Sequence, residues 1–297
     1  MLFCIIINKN MRAKILSIVS KQYKILLEDH TIEQAILMGK IRLQMTPSTG
    51  DEVEVELRNG VYTIEKILPR KNHLIRPSVS NVDQALIVMS MKDPDFSSTL
   101  IDRLSFLIMH ADIEPVLIVT KIDKGIPEDF QKQIDEYRNG QMKVICTEKG
   151  KINEELKELL KGKISVLTGQ SGAGKSSLLN TLDPAFHLAT QEISKALGRG
   201  KHTTRHNELH EVAGGLVCDT PGFSALDFSH IEASELASCV PDFRPYLTGC
   251  KFNDCVHQNE PGCVIKKCVE EGKIPQRRYD HYLEVLQMIQ ERKQKYL

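Results

Sequence analysis

Gly169-Gln170-Ser171-Gly172-Ala173-Gly174-Lys175-Ser176-Ser177 lies between an apolar run, Ile164-Ser165-Val166-Leu167-Thr168, and a helix-forming one, Ser177-Leu178-Leu179-Asn180. A strand, a glycine loop and a helix in that order make a phosphate-binding P-loop of the pattern G-x-x-x-x-G-K-S. The glycines let the backbone turn tightly, so its N–H groups point inward at phosphate oxygens. The helix N-terminus adds free donors and partial positive charge. In this reading Lys175 reaches the β- and γ-phosphates, and the Ser176 hydroxyl ligates Mg2+.

Around this centre, apolar runs at 84–91, 115–119, 142–146, 164–168 and 215–218 alternate with helical patterns at 99–110, 127–137 and 152–160. That alternation predicts an α/β layer with a parallel sheet. Residues 208–212, before the Gly214-Gly215 turn, read as an antiparallel addition. Asp219-Thr220-Pro221-Gly222 follows the run at 215–218, about fifty residues after the P-loop. There Asp219 fits the acid that holds Mg2+ through water, and Gly222 the N–H that senses the γ-phosphate. Thr120-Lys121-Ile122-Asp123 follows the run at 115–119 and is similar to the N-K-x-D base-reading motif of GTPases. A carboxylate at Asp123 accepts from guanine N1–H and its exocyclic amine, a donor pair adenine lacks, so an unpaired Asp123 selects against adenine. Thr120 replaces the usual Asn and offers a hydroxyl without an amide. Residues 146–148 are expected to form a loop beneath the base.

The order of these motifs is permuted: base-reading turn first, P-loop second, D-T-P-G third. A parallel sheet accepts this because its strands meet in space whatever their chain order. Residues 193–207 hold Lys195, Arg199, Lys201 and Arg205, with no acid, and Gly198 and Gly200. They read as a switch loop in which Thr203 or Thr204 closes over Mg2+ and the γ-phosphate.

Residues 12–68 read as five short strands at 13–19, 23–27, 35–43, 52–57 and 61–68, with Asn59-Gly60 as a hairpin turn. Five strands in so short a stretch predict a small barrel such as an OB-fold, a frequent carrier of RNA. The basic segment 69–80, with Pro69 and Pro77, marks a boundary. The expected domains are therefore a barrel over 1–70, a nucleotide domain over 71–232 and a small module over 233–297. Basic and acidic residues number 12 and 8 over 1–80, 17 and 22 over 81–232, and 10 and 9 over 233–297. Nucleic-acid contact thus belongs to the flanks and not to the acidic middle. The apolar stretch 1–7 is too short for a membrane span and lacks a signal peptide's flanks; residues 1–10 read as a strand extension or as following an upstream start codon. A cytoplasmic chain with its eight cysteines reduced or metal-bound is expected.

Cys250, Cys255, His257 and Cys263 give C-x4-C-x-H-x5-C. Three thiolates and an imidazole suit a tetrahedral structural Zn2+ with no open position. Cys239 and Cys268 fall outside that spacing and read as ordinary buried thiols. The region looks poor in core residues and is expected to need its metal to fold.

These motifs together resemble the family of circularly permuted small-subunit-assembly GTPases known as RsgA, YjeQ or YloQ. The resemblance extends to R-G-K-H-T-T at 199–204 and the L-I-R-P-x-V-x-N-V-D-Q linker, and covers nearly the whole chain. It implies an OB-fold, a permuted GTPase domain and a zinc module. It also implies GTP hydrolysis stimulated by the small ribosomal subunit, contact with its 16S rRNA, and a role late in that subunit's maturation by a monomeric protein. Phe223 occupies the position where many GTPases keep a water-orienting Gln, and the resemblance puts a candidate catalytic histidine at His230. Two other readings compete. One is a P-loop ATPase or metabolite kinase, which Asp123 disfavours. The other is an RNA-binding scaffold regulated by guanine nucleotide with little hydrolysis of its own, motivated by Phe223.

Overall fold

The computed structural model describes residues 11–37, 45–74, 77–184, 207–218 and 226–295. The chain opens as a closed five-stranded barrel of β1 (Met11–Val19), β2 (Gln22–Leu27), β3 (Ile32–Leu37), β4 (Glu52–Arg58) and β5 (Val61–Ile67). Four pairings are antiparallel, and β3 closes the barrel by running parallel to β5. The order β1-β2-β3-β5-β4 is that of an OB-fold. Alternate residues point inward, so Ile15, Ile25, Val53, Val55 and Ile64 are fully buried together. The Asn-Gly turn joins β4 to β5 with both residues at positive φ, 50° and 81°. β3 begins three residues before the expected 35 because only Ala35 in it is buried. Its exposed first residues carry no alternation to read.

A bulge between Ile15 and Ser17 turns Leu16 out of the barrel into the core of the next layer. A two-strand ribbon, β6 (His73–Leu74) and β7 (Val79–Ser80), follows. Arg70, in the basic segment that marks the boundary, forks onto the fully buried Asp51 at 2.7 and 2.8 Å.

The central sheet contains β8 (Gln84–Ser90), β9 (Glu114–Thr120), β10 (Lys143–Cys146), β11 (Ile164–Gly169), β12 (Leu209–Val212) and β13 (Gly215–Cys218). Its order is β10-β9-β8-β11-β13-β12, parallel except for the last pair. Both faces are covered, as a parallel sheet requires. Ala85, Ile87, Met89, Leu117 and Val119 face α1 (Ser98–His110) and α2 (Glu128–Asn139). Leu86, Val88, Val116, Ile118 and Leu167 face α3 (Glu154–Leu160) and α4 (Lys175–Leu182). Strand order reverses between β8 and β11. The carboxyl ends flanking that switch point form the crevice where such sheets take ligands.

The barrel meets this sheet at its edge. Lys24 Nζ donates to Glu208 at 2.8 Å, the Thr49 hydroxyl donates to Asn207 O at 3.1 Å, and Ser17 bridges Glu208.

After residue 226 come α5 (Ala233–Leu236), two 3-10 segments (Ala237–Cys239 and Pro241–Gly249), α6 (Val264–Glu270) and α7 (Gln276–Lys295). The expectation of a core-poor module is corrected here. Phe243, Tyr282, Val285, Leu286 and Ile289 share one buried cluster with Phe106, Leu107 and Met109 on the outer face of α1. The core was hidden in the sequence because part of it lies more than 100 residues upstream, on α1. A buried ionic network joins the same two elements. Arg278 Nε lies 2.8 Å from Asp102, and His281 Nδ1 lies 2.6 Å from the other Asp102 oxygen. Tyr137 donates to Asp102 at 2.8 Å and lies beneath the guanidinium. Arg278 also pairs with Asp242 at 2.7 Å, off line for a hydrogen bond. Removing one partner of such a network leaves a buried charge uncompensated.

Candidate nucleotide site and metal centre

The P-loop occupies the switch point. Gly169 ends β11 at φ 113°, and a Cβ there would sit 2.1 Å from Val88 O of the neighbouring strand. Gly174 caps α4 at φ 93°. Gly169 needs glycine for both backbone geometry and space, Gly174 for backbone geometry alone. Lys175 Nζ lies over the loop, donating to Gly169 O at 3.0 Å and Gln170 O at 2.6 Å.

Two strands away, the T-K-I-D turn is bound to that loop. The buried Thr120 hydroxyl donates to Ala173 O at 2.6 Å. The hydroxyl that stands where an Asn is usual thereby joins the turn to the P-loop. Lys121 takes a left-handed φ of 60° and donates to Gly172 O at 2.9 Å, to Lys92 O at 3.3 Å and to Asp93 O. Its ammonium thus ties the P-loop to the loop after β8. Asp123 is exposed in a short 3-10 turn (Ile122–Lys124) and accepts from Lys149 N–H at 3.1 Å. Thr147 donates its N–H to Val119 O at 2.8 Å, which sets the 146–148 loop beside the turn.

One cavity of about 290 Å³ is bordered by Asp123 and Lys121 on one side, Thr147 and Lys149 behind, and Gly174 and Ser177 on the other. The T-K-I-D turn and the P-loop residues Gly172, Gly174 and Ser177 therefore border one cavity. His230 is not brought to it. It lies against His110 in the last turn of α1, with ring centroids 5.1 Å apart and the rings tilted by 33°. α1 starts above the carboxyl end of β8 and returns toward the start of β9, so His110 lies about 20 Å from the crevice by helix length. Burial, then the neighbouring His230, hold His110 below the ordinary histidine range. Thr203, Thr204, Asp219, Gly222 and Phe223 lie outside the described residues.

Cys250, Cys255, His257 and Cys263 converge, with their four ligand atoms all within 4.8 Å of one another. His257 Nδ1 is 3.5, 3.3 and 3.3 Å from the three sulfurs. A tetrahedron with zinc's usual bond lengths has S···N edges of about 3.5 Å, so this donor set fits such an ion. Outer contacts hold the ligands in place: Tyr279 OH donates to His257 O at 2.7 Å, and Glu260 accepts from Val256 and Gln258 N–H. Burial lowers the His257 pKa, favouring the neutral, ligating imidazole. Cys239 and Cys268 are buried outside the cluster, as expected.

A P-loop and a base-reading turn around one cavity, on a sheet entered in permuted order, define a circularly permuted P-loop GTPase. This one is flanked by an OB barrel and a Cys/His module. The sequence profile of the RsgA GTPase family matches residues 67–229, and the chain belongs to that family. It is 47% identical over 261 residues to the small ribosomal subunit biogenesis GTPase RsgA of Geobacillus kaustophilus, covering 85% of this chain and 88% of that one. The protein of that name in Bacillus subtilis is 44% identical over 262 residues, covering 85% and 87%. Among solved structures it is similar to YloQ, a circularly permuted GTPase, with a TM-score of 0.83 and 35% identity over 98% of this chain and 99% of that one. YjeQ from Thermotoga maritima gives a TM-score of 0.81 and 34% identity over 95% and 99%.

Proposed function

We infer that this chain is a cytoplasmic GTPase that binds the small ribosomal subunit through its 16S rRNA and assists late maturation, with turnover stimulated by the subunit. The observation that carries the reading is the single cavity shared by Asp123 and the P-loop. In it guanine rests on Asp123 above the 147–149 loop, while residues 169–177 cradle the phosphates. Lys175 leaves its loop carbonyls for the β- and γ-phosphate oxygens and holds the charge that develops as the bond to the γ-phosphorus breaks. Ser176, Thr203 or Thr204 and, through water, Asp219 would hold Mg2+, which neutralises phosphate charge. Gly222 senses the γ-phosphate. Zn2+ is assigned to the Cys/His set as a structural ion. The domains are assigned as 1–70, 71–232 and 233–297, and the chain as a monomer. The deciding experiment is GTP turnover with and without purified small subunits. Strong stimulation is expected, and its absence with well-formed subunits would sink the reading.

Asp123→Asn is expected to weaken GTP binding by at least about a hundredfold, because two guanine donors then face an amide. Xanthosine triphosphate should gain affinity, since its added carbonyl meets the Asn N–H2. Competition against labelled GDP measures both; unchanged ranking would remove Asp123 from the base site.

A catalytic role for His230 requires its ring to leave His110 and cross roughly the length of α1, about 20 Å. Subunit binding is the event that supplies that movement. His230→Ala should therefore lower subunit-stimulated turnover by about a hundredfold or more and leave intrinsic turnover unchanged. Equal loss in both assays would contradict a partner-driven movement.

A further inference from the structure

The segment between the first two Cys ligands is Lys251-Phe252-Asn253-Asp254, and all four residues are exposed. Cys250 and Cys255 pin its ends through their converging sulfurs, and Cys255 N–H donates to Phe252 O at 3.4 Å, closing a turn. The turn holds Phe252 outward, with 39% of its surface in water. It is the one exposed phenylalanine among the described residues; Phe243, Tyr279 and Tyr282 of the same module are buried against one another.

Lys251 Nζ lies 5.5 Å from the Phe252 ring centroid. A cation beside an exposed ring is the pairing that takes a base on the π-face and its phosphate on the ammonium. Gly249, just before the loop, abuts Val264 at the start of α6, the helix that carries Lys266 and Lys267. Lys251 and Lys266 are set against Asp254, the loop's own acid, while Lys267 lies 3.8 Å from Glu271. A charged rim around one flat ring suits an unpaired nucleotide better than a greasy protein pocket.

We propose that Phe252 stacks on an unpaired base of RNA, with Lys251 on the adjoining phosphate. The metal cluster then serves to hold a stacking platform rigid. This rests on the ribosomal reading above and adds to it a residue and a mode of contact.

The chain has seven tyrosines but no tryptophan, so Phe252→Trp places a single tryptophan at the platform, excited apart from the tyrosines on the red side of their absorption. Its emission is expected to be quenched by purified small subunits and by protein-free 16S rRNA. Phe252→Ala should bind subunits roughly ten- to a hundredfold more weakly. Phe252→Trp and Phe252→Tyr should bind like the unsubstituted chain. Phe252→Leu, apolar but without a π-face, should fail like Ala. Metal content and intrinsic turnover, unchanged in all four, verify folding. Tight binding by Phe252→Leu, or quenching by subunits but not by RNA, would overturn stacking in favour of a protein pocket. Unchanged Trp emission on a bound subunit would overturn the contact while leaving the ribosomal reading intact. An unsubstituted chain that does not bind subunits would overturn that reading itself.

Discussion

Lys175→Ala is expected to lose GTP turnover by at least about a thousandfold. The lysine is the one cation the P-loop carries, and its ammonium already lies against the loop at Gly169 O and Gln170 O. Its charge is needed most when the γ-phosphoryl is in transit, so the loss should fall on kcat as well as on affinity. The fold should survive, because the side chain is only half-buried and the glycine turn does not depend on it. A far-ultraviolet spectrum and melting curve like those of the unsubstituted chain, with no phosphate release, is the expected pair of results. Turnover within tenfold of normal would mean that the phosphates lie elsewhere.

Cys255→Ala is expected to release the metal and loosen residues 250–263. Those residues contain no helix or strand, so their shape depends on the four ligands and a few backbone contacts. Apparent binding energies of structural zinc run to about 10–16 kcal/mol, and that energy is folding energy for the segment it organises. Removing one thiolate from a closed four-ligand site forfeits much of it. α7 should stay docked: Cys263 shares its core and Tyr279 bonds to His257 O, but the contacts of Tyr282, Val285, Leu286 and Ile289 with α1 and the Arg278–Asp102 pair remain when the metal is lost. The expected signature is one metal lost, hydrogen exchange raised across 250–263, and protection retained in 276–295. Full metal content in the variant would remove the assignment of the ligand set; global unfolding would show that the shared core contributes less than its burial implies.

The parts legible in the sequence were those with local signals. Strand runs, the Asn-Gly hairpin and the glycine loop each declare a backbone geometry over a few residues. The antiparallel β12 was readable from its turn, though one residue late: the turn expected at Gly214-Gly215 is made by Ala213 and Gly214, at φ 52° and 75°, and Gly215 already opens β13. The four-ligand spacing was readable because a tetrahedral ion constrains it. What stayed hidden was pairing across long separations. Arg278 and His281 look like solvated residues on a charged helix, yet both are nearly fully buried because Asp102, far upstream, awaits them. Nor did the sequence show that the Thr120 hydroxyl reaches Ala173 O of the P-loop. His230, placed by resemblance, sits on His110, and nothing near it in sequence gave that contact.

The permuted order also bears on how the chain is made. Synthesis delivers the N-terminal part first, and segments fold as they become complete. Strands β8, β9 and β10 emerge as a half-sheet with the ring-binding turn already present, while β11 is still unmade. The edge of β8 that β11 will cover stays open through the synthesis of α3. Triphosphate can lock the two halves together only once residues 164–182 have left the tunnel. With the site proposed above, nucleotide capture would wait until β11 is inserted beside β8.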